Sequence, residues 1–200
     1  MDNIKAELRD QSIKAKKLRR MGKVPACIYG SNLEESVLIQ ISQTDINRLL
    51  STKTRGNALT IEVNGKKYNV LFKDYSRQPV SNQVEHVDFQ NLVADEPVNS
   101  VAQIVVLNRD ENENVIQQHI EEVPYSALPS HLVERISINV AAMEVGSSVT
   151  VGDLEIAKDE NITLLVPEDT LVLNVVEKTR AVVDVEEEKT EAVEETPSAE

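Results

Sequence analysis

Eight cations crowd one end of the chain: Lys5, Arg9, Lys14, Lys16, Lys17, Arg19, Arg20 and Lys23 fall within residues 5–23, against only Glu7 and Asp10. Such a cluster suits polyanion binding, because each Lys or Arg that neutralises a phosphate releases condensed counterions. A second pair, His86 and Asp88, stands two residues apart and shares one face if the segment is a strand, which makes half of a metal site. No third ligand follows at a suitable spacing, so no metal is expected. Cys27, the single cysteine, lies between Ala26 and Ile28 and reads as a buried structural thiol with no disulfide partner. The six glycines form neither G-x-x-x-x-G-K nor G-x-G-x-x-G, so there is no phosphate-cradling loop. Asp and Glu are too abundant for any one pair to mark a catalytic site. The chain is therefore expected to be no enzyme, to need no cofactor and to take no small-molecule substrate.

The 200 residues carry 21 Lys or Arg against 34 Asp or Glu, net −13, which argues against nucleic acid until the charge is divided along the chain. Residues 1–91 hold 15 basic against 10 acidic groups, net +5, whereas residues 92–200 hold 6 against 24, net −18. No run approaches the roughly 18 apolar residues of a membrane span, and Met1-Asp2-Asn3-Ile4-Lys5 lacks a secretory apolar core. A cytoplasmic protein without membrane contact is expected.

Periodicity supplies the elements that must position these groups. Ile4, Ala6 and Leu8 alternate with polar residues as a strand, which turns Arg9 outward. Residues 12–21 read either as a short helix ending at Gly22 or as a mobile basic loop. A strand over 24–30 carries Pro25 near its start, and Val37, Ile39 and Ile41 form the next. Ser42 caps a helix over 43–52, with Ile46, Leu49 and Leu50 at helical spacing. Asn64-Gly65 closes a hairpin between Leu59, Ile61, Val63 and Tyr68, Val70, then Leu71 or Phe72. Val87 and Phe89 alternate with His86 and Asp88 in a last strand. About six strands with short helices predict a small antiparallel β-barrel over 1–91. After the Ala94-Asp95-Glu96-Pro97 break, runs at 98–107, 115–123, 132–140, 148–156, 162–166 and 170–177 predict a second all-β domain over 92–180. Residues 181–200 predict a disordered acidic tail.

Arg9, Arg77, His86 and Asp88, facing out from such a barrel, add donors and an acceptor beside the basic segment. RNA fits that mixture, because its A-form minor groove is wide and shallow and displays 2′-hydroxyls and base edges to a sheet surface. Tyr29 either stacks or hydrogen-bonds there, or caps one end of the barrel core. The competing reading is an acidic stress-response adaptor or chaperone-like protein, not bound to RNA, whose active surface is the second domain and whose basic segment merely covers a barrel end.

Three ordered strings sharpen the choice: Lys17-Leu18-Arg19-Arg20-Met21-Gly22-Lys23-Val24-Pro25-Ala26-Cys27-Ile28-Tyr29-Gly30, Lys73-Asp74-Tyr75-Ser76-Arg77-Gln78-Pro79 and His86-Val87-Asp88-Phe89. Together they resemble the family of bacterial large-subunit ribosomal protein twenty-five, in its longer two-domain Ctc form, also called a general stress protein. The likeness spans 4–89 and continues loosely through Ile136-Ser137-Ile138-Asn139-Val140 and Val145-Gly146-Ser147-Ser148-Val149. It implies an N-terminal barrel that binds 5S ribosomal RNA near loop E in the central protuberance of the large ribosomal subunit. The RNA-facing residues it implies are Arg9, Lys16, Lys17, Arg19, Tyr29, Arg77, His86 and Asp88, with Lys14 and Arg20 as phosphate neighbours. At net −18 the second half is expected to avoid RNA and to face solvent or neighbouring ribosomal proteins.

Overall fold

The computed structural model describes residues 3–112 and 114–177; the acidic tail expected over 181–200 lies outside them. The elements of the first half are β1 (Asn3–Leu8), α1 (Ala15–Arg20), β2 (Lys23–Tyr29), β3 (Val37–Ser42), α2 (Gln43–Thr52), β4 (Ala58–Val63), β5 (Lys66–Arg77) and β6 (Val84–Asn91). The six strands close into a barrel in the order β1-β3-β2-β6-β5-β4. Its interior is filled by alternate residues of each strand, including Val24, Ala26, Ile28, Ile39, Ile41, Phe72, Val87 and Phe89. The mainly β class and the N-terminal barrel are as read from the sequence. The barrel is not wholly antiparallel, because β1 pairs β4 and β2 pairs β6 in parallel. Parallel partners need long connections, and here most of the barrel's own length separates them.

Local chemistry accounts for the elements. Asn64 and Gly65 both take positive φ, 49° and 85°, the backbone that a two-residue hairpin turn demands. Ser42 Oγ accepts the N–H of Thr44 at 3.3 Å and starts α2, whose buried Ile46 and Leu49 cover the barrel core. The basic segment is the helix α1 rather than a loop. It buries Leu18 and stops at Gly22, whose N–H is donated to Arg19 O at 3.0 Å with φ +76°.

In the second half, β7 (Val98–Leu107), β9 (Glu122–Ala127), β10 (Arg135–Asn139) and β12 (Ile162–Leu164) form one sheet, and β8 (Val115–Gln118), β11 (Ser148–Thr150) and β13 (Leu171–Val176) another. Two sequence expectations need correction. The strand expected over 115–123 is two strands, since the chain leaves one sheet after Gln118 and enters the other at Glu122. The strand expected over 148–156 stops at Thr150, where Thr150 and Asp153 cap each other and start short 3-10 turns at 151–153 and 155–158. Tyr125 ties this half together by donating its hydroxyl to Val133 O at 2.9 Å and accepting the Val133 N–H at 2.7 Å.

Candidate functional site

Strand alternation decides which groups reach the surface. Because Val24, Ala26 and Ile28 enter the barrel core, Cys27 and Tyr29 face outward; because Val87 and Phe89 enter it, His86 and Asp88 face outward on the adjoining strand. The parallel register sets Cys27 opposite Asp88. Their side chains meet: the Cys27 thiol donates to Asp88 Oδ1 at 3.0 Å, and His86 Nδ1 lies 3.2 Å from the same oxygen. Cys27 is therefore not the buried core thiol expected from its apolar neighbours, since those neighbours point the other way. Burial first, then the hydrogen bond and negative charge of Asp88, push this thiol up to about 12.

A β-bulge shapes the same face. Ser76 pairs with His86 and Arg77 with Val84, so Glu85 is left over and joins His86 on the outside. Arg19, reaching across from α1, donates Nε to the Glu85 carbonyl at 3.1 Å and Nη1 to Glu85 Oε1 at 3.3 Å. The backbone group set free by the bulge thus fixes the arginine beside His86 and Asp88. Alternation alone hides Glu85, because a bulge shifts the phase by one residue.

The cations of α1 divide by face. Leu18 is buried with α1 packed on β2, and Lys14, Lys16, Lys17 and Arg20 stand exposed with no ion-pair partner among the described residues. Arg9 follows β1; its N–H is donated to Leu38 O at 3.0 Å, and Leu38 is in turn paired with Cys27. Arg9, Leu38, Cys27 and Asp88 therefore form one row across the sheet, with Arg9 roughly 10 Å from Cys27 at two strand spacings. Its Nε is buried and has no partner among the described residues.

Arg77 lies exposed on β5, next to β6, with its guanidinium 5.0 Å from the Tyr75 ring centroid. Arg55, which the sequence did not single out, stands 5.3 Å from the same ring and pairs with Asp74 at 3.2 Å. Tyr29 is half-buried and lines a cleft of about 440 Å³ with Arg55, Lys73, Asp74 and Asp88 on the barrel side and Asn99 and Ser100 of β7 opposite. Burial, then the charge of Asp88, raises its hydroxyl above the ordinary tyrosine value. So Arg19, Tyr29, His86 and Asp88 share one outer face of β2 and β6. Arg77 flanks it on β5, and the cations of α1 and Arg9 approach from the β2 and β3 side.

Residues 4–89 match the Ribosomal L25p family, and residues 97–179 match the family described as ribosomal protein TL5, C-terminal domain. The chain is similar to the large ribosomal subunit protein bL25 of Colwellia psychrerythraea, 31% identical over 93% of this chain and 91% of that one. It is also similar to the bL25 proteins of Rhodococcus opacus, at 30% over 92% and 87%, and of Dictyoglomus thermophilum, at 29% over 86% and 88%.

Proposed function

Because the chain belongs to the ribosomal L25p family, we propose that it is a structural constituent of the large ribosomal subunit that grips 5S ribosomal RNA near loop E through the outer face of β2 and β6. The structural role comes with the family, whose relatives are named as large-subunit proteins rather than enzymes. The RNA reading rests on one observation above the rest: Arg19 is clamped to the Glu85 bulge beside outward-facing His86 and Asp88. A preoriented guanidinium loses little side-chain freedom on binding, while the exposed Lys14, Lys16, Lys17 and Arg20 supply phosphate contacts at the rim. In this reading Arg9, Tyr29, Arg77, His86 and Asp88 meet the 2′-hydroxyls and base edges of the RNA. Residues 1–91 are the RNA-binding domain of this proposal. Residues 92–180, with their acidic excess, face neighbouring ribosomal proteins or solvent.

Titration of the full chain against 5S ribosomal RNA at rising KCl tests it. Four phosphate contacts, from Lys14 and from Lys16, Lys17 and Arg20 of α1, predict a log–log slope of about −3 to −3.5. Arg19→Ala should cost about 1–3 kcal/mol of binding. Salt-independent binding, or an Arg19→Ala protein that binds as the parent does, overturns the placement. Sedimentation of the protein away from large subunits at low salt would favour the adaptor reading instead.

A further inference from the structure

From Cys27, His86 and Asp88 we infer a three-ligand site for a zinc-class divalent cation on the outer face of the barrel, completed by water. The three groups come from two strands. Parallel pairing sets Cys27 opposite Asp88, and His86 stands two residues before Asp88 on the same face. One ligand atom from each, the Sγ, a ring nitrogen and a carboxylate oxygen, all lie within 4.8 Å of one another. The two closest pairs, Sγ to Oδ1 and Nδ1 to Oδ1, measure 3.0 and 3.2 Å. Zinc bonds of about 2.0–2.3 Å in a tetrahedron give ligand-to-ligand edges of about 3.3–3.6 Å, so the two measured edges must lengthen by a few tenths of an ångström, while the third, Sγ to the ring nitrogen, lies within 4.8 Å and closes by a side-chain rotation of about 1 Å at most.

The donor set selects the metal. Thiolate and imidazole prefer zinc to magnesium or calcium, and one carboxylate adds charge without making a hard oxygen cage. Binding exchanges one cation for one proton. The thiol proton, now donated to the Asp88 oxygen in a hydrogen bond, passes to solvent as the sulfur binds, and His86 coordinates through Nδ1 with its proton on Nε2. All three side chains are partly exposed, which leaves an entry path and room for the fourth ligand. The site shares His86 and Asp88 with the face read as the RNA interface, but its test uses no RNA and no cation of α1, so its failure and the failure of the RNA reading are distinguishable.

Cobalt titration of the full, chelator-stripped chain tests the site. The chain has a single cysteine, so any thiolate-to-cobalt charge-transfer absorption reports Cys27 alone, whatever the acidic half binds. The expected result is one equivalent of Co²⁺ with that absorption and tetrahedral visible bands, displaced by one equivalent of Zn²⁺. Cys27→Ser should abolish the charge-transfer band. His86→Ala and Asp88→Asn should each weaken binding by more than about 100-fold, beyond the 10–100-fold lost with an outer-sphere partner. The substituted side chains face outward, and far-ultraviolet circular dichroism checks that each variant folds. Absence of the thiolate band, or a band that survives both His86→Ala and Asp88→Asn at parental affinity, overturns the proposal.

Discussion

A thiol on the outer face of a barrel is ordinarily open to reagents, yet Cys27 is held as an acid by its partial burial and then by the carboxylate it touches. With the pKa pushed up from 9.0 to about 12, the metal-free protein carries about a thousandfold less thiolate at neutral pH than an ordinary thiol would. Alkylation depends on the thiolate, so iodoacetamide labelling followed by mass spectrometry should be slow at pH 7 and should climb steadily with pH. Asp88→Asn removes the charge and part of the hydrogen bond, and should speed it. A labelling rate that levels off near pH 9 would refute this protonation state. The sequence showed that His86 and Asp88 share a face, because a two-residue spacing fixes that for any strand. It could not show Cys27 joining them, since the parallel register between β2 and β6 leaves no trace in short-range periodicity.

At the level of elements, α1 shows how little holds the basic segment in place. Its six residues are too few to stand as a helix alone, no side chain caps its start, and Leu18 is its one buried residue. Leu18→Ala should cost about 2–5 kcal/mol if the helix stays packed, and less if it simply detaches. In the second case amide exchange should rise over residues 15–21 while β2 and β3 stay protected, and RNA affinity should fall with the cations intact. Unchanged exchange and affinity would mean that α1 is not positioned by Leu18. Helix α2 and the Asn64-Gly65 hairpin were legible because a cap and a turn are local chemistry. The crossing between sheets at 119–121 was not, since Val115 to Val123 keeps a β-like composition through the break.

For the molecule as a whole, the barrel and the C-terminal half meet through few but specific contacts. Ser100 Oγ donates to Gly56 O at 3.1 Å, and Lys73 Nζ donates to Asn99 O at 2.8 Å. Glu134 accepts from Lys53 Nζ at 3.2 Å and from Asn57 Nδ2 at 3.2 Å. Gly56 sits at φ +84°, and a Cβ there would lie 2.2 Å from the Val101 carbonyl oxygen. Gly56→Ala should therefore lower stability by at least about 2 kcal/mol, combining left-handed strain with a displaced junction, as a urea midpoint would read. A midpoint equal to the parent's would mean that the two halves part without cost. The charge contrast between them, +5 against −18, was plain in the sequence, whereas the contacts that join them depend on tertiary packing.

The parallel join between β2 and β6 has a consequence in time as well as space. Ribosomes release the arginines and lysines of α1 first, but the strand bearing Glu85, His86 and Asp88 is the last of the barrel to emerge. A half-synthesised copy thus owns positive charge without a partner strand to aim it, and it would stick to any polyanion indiscriminately. Under the RNA-binding proposal, discrimination arrives only once the sixth strand has docked, so the ability to choose a ligand is withheld until this portion of the polypeptide has been finished and folded.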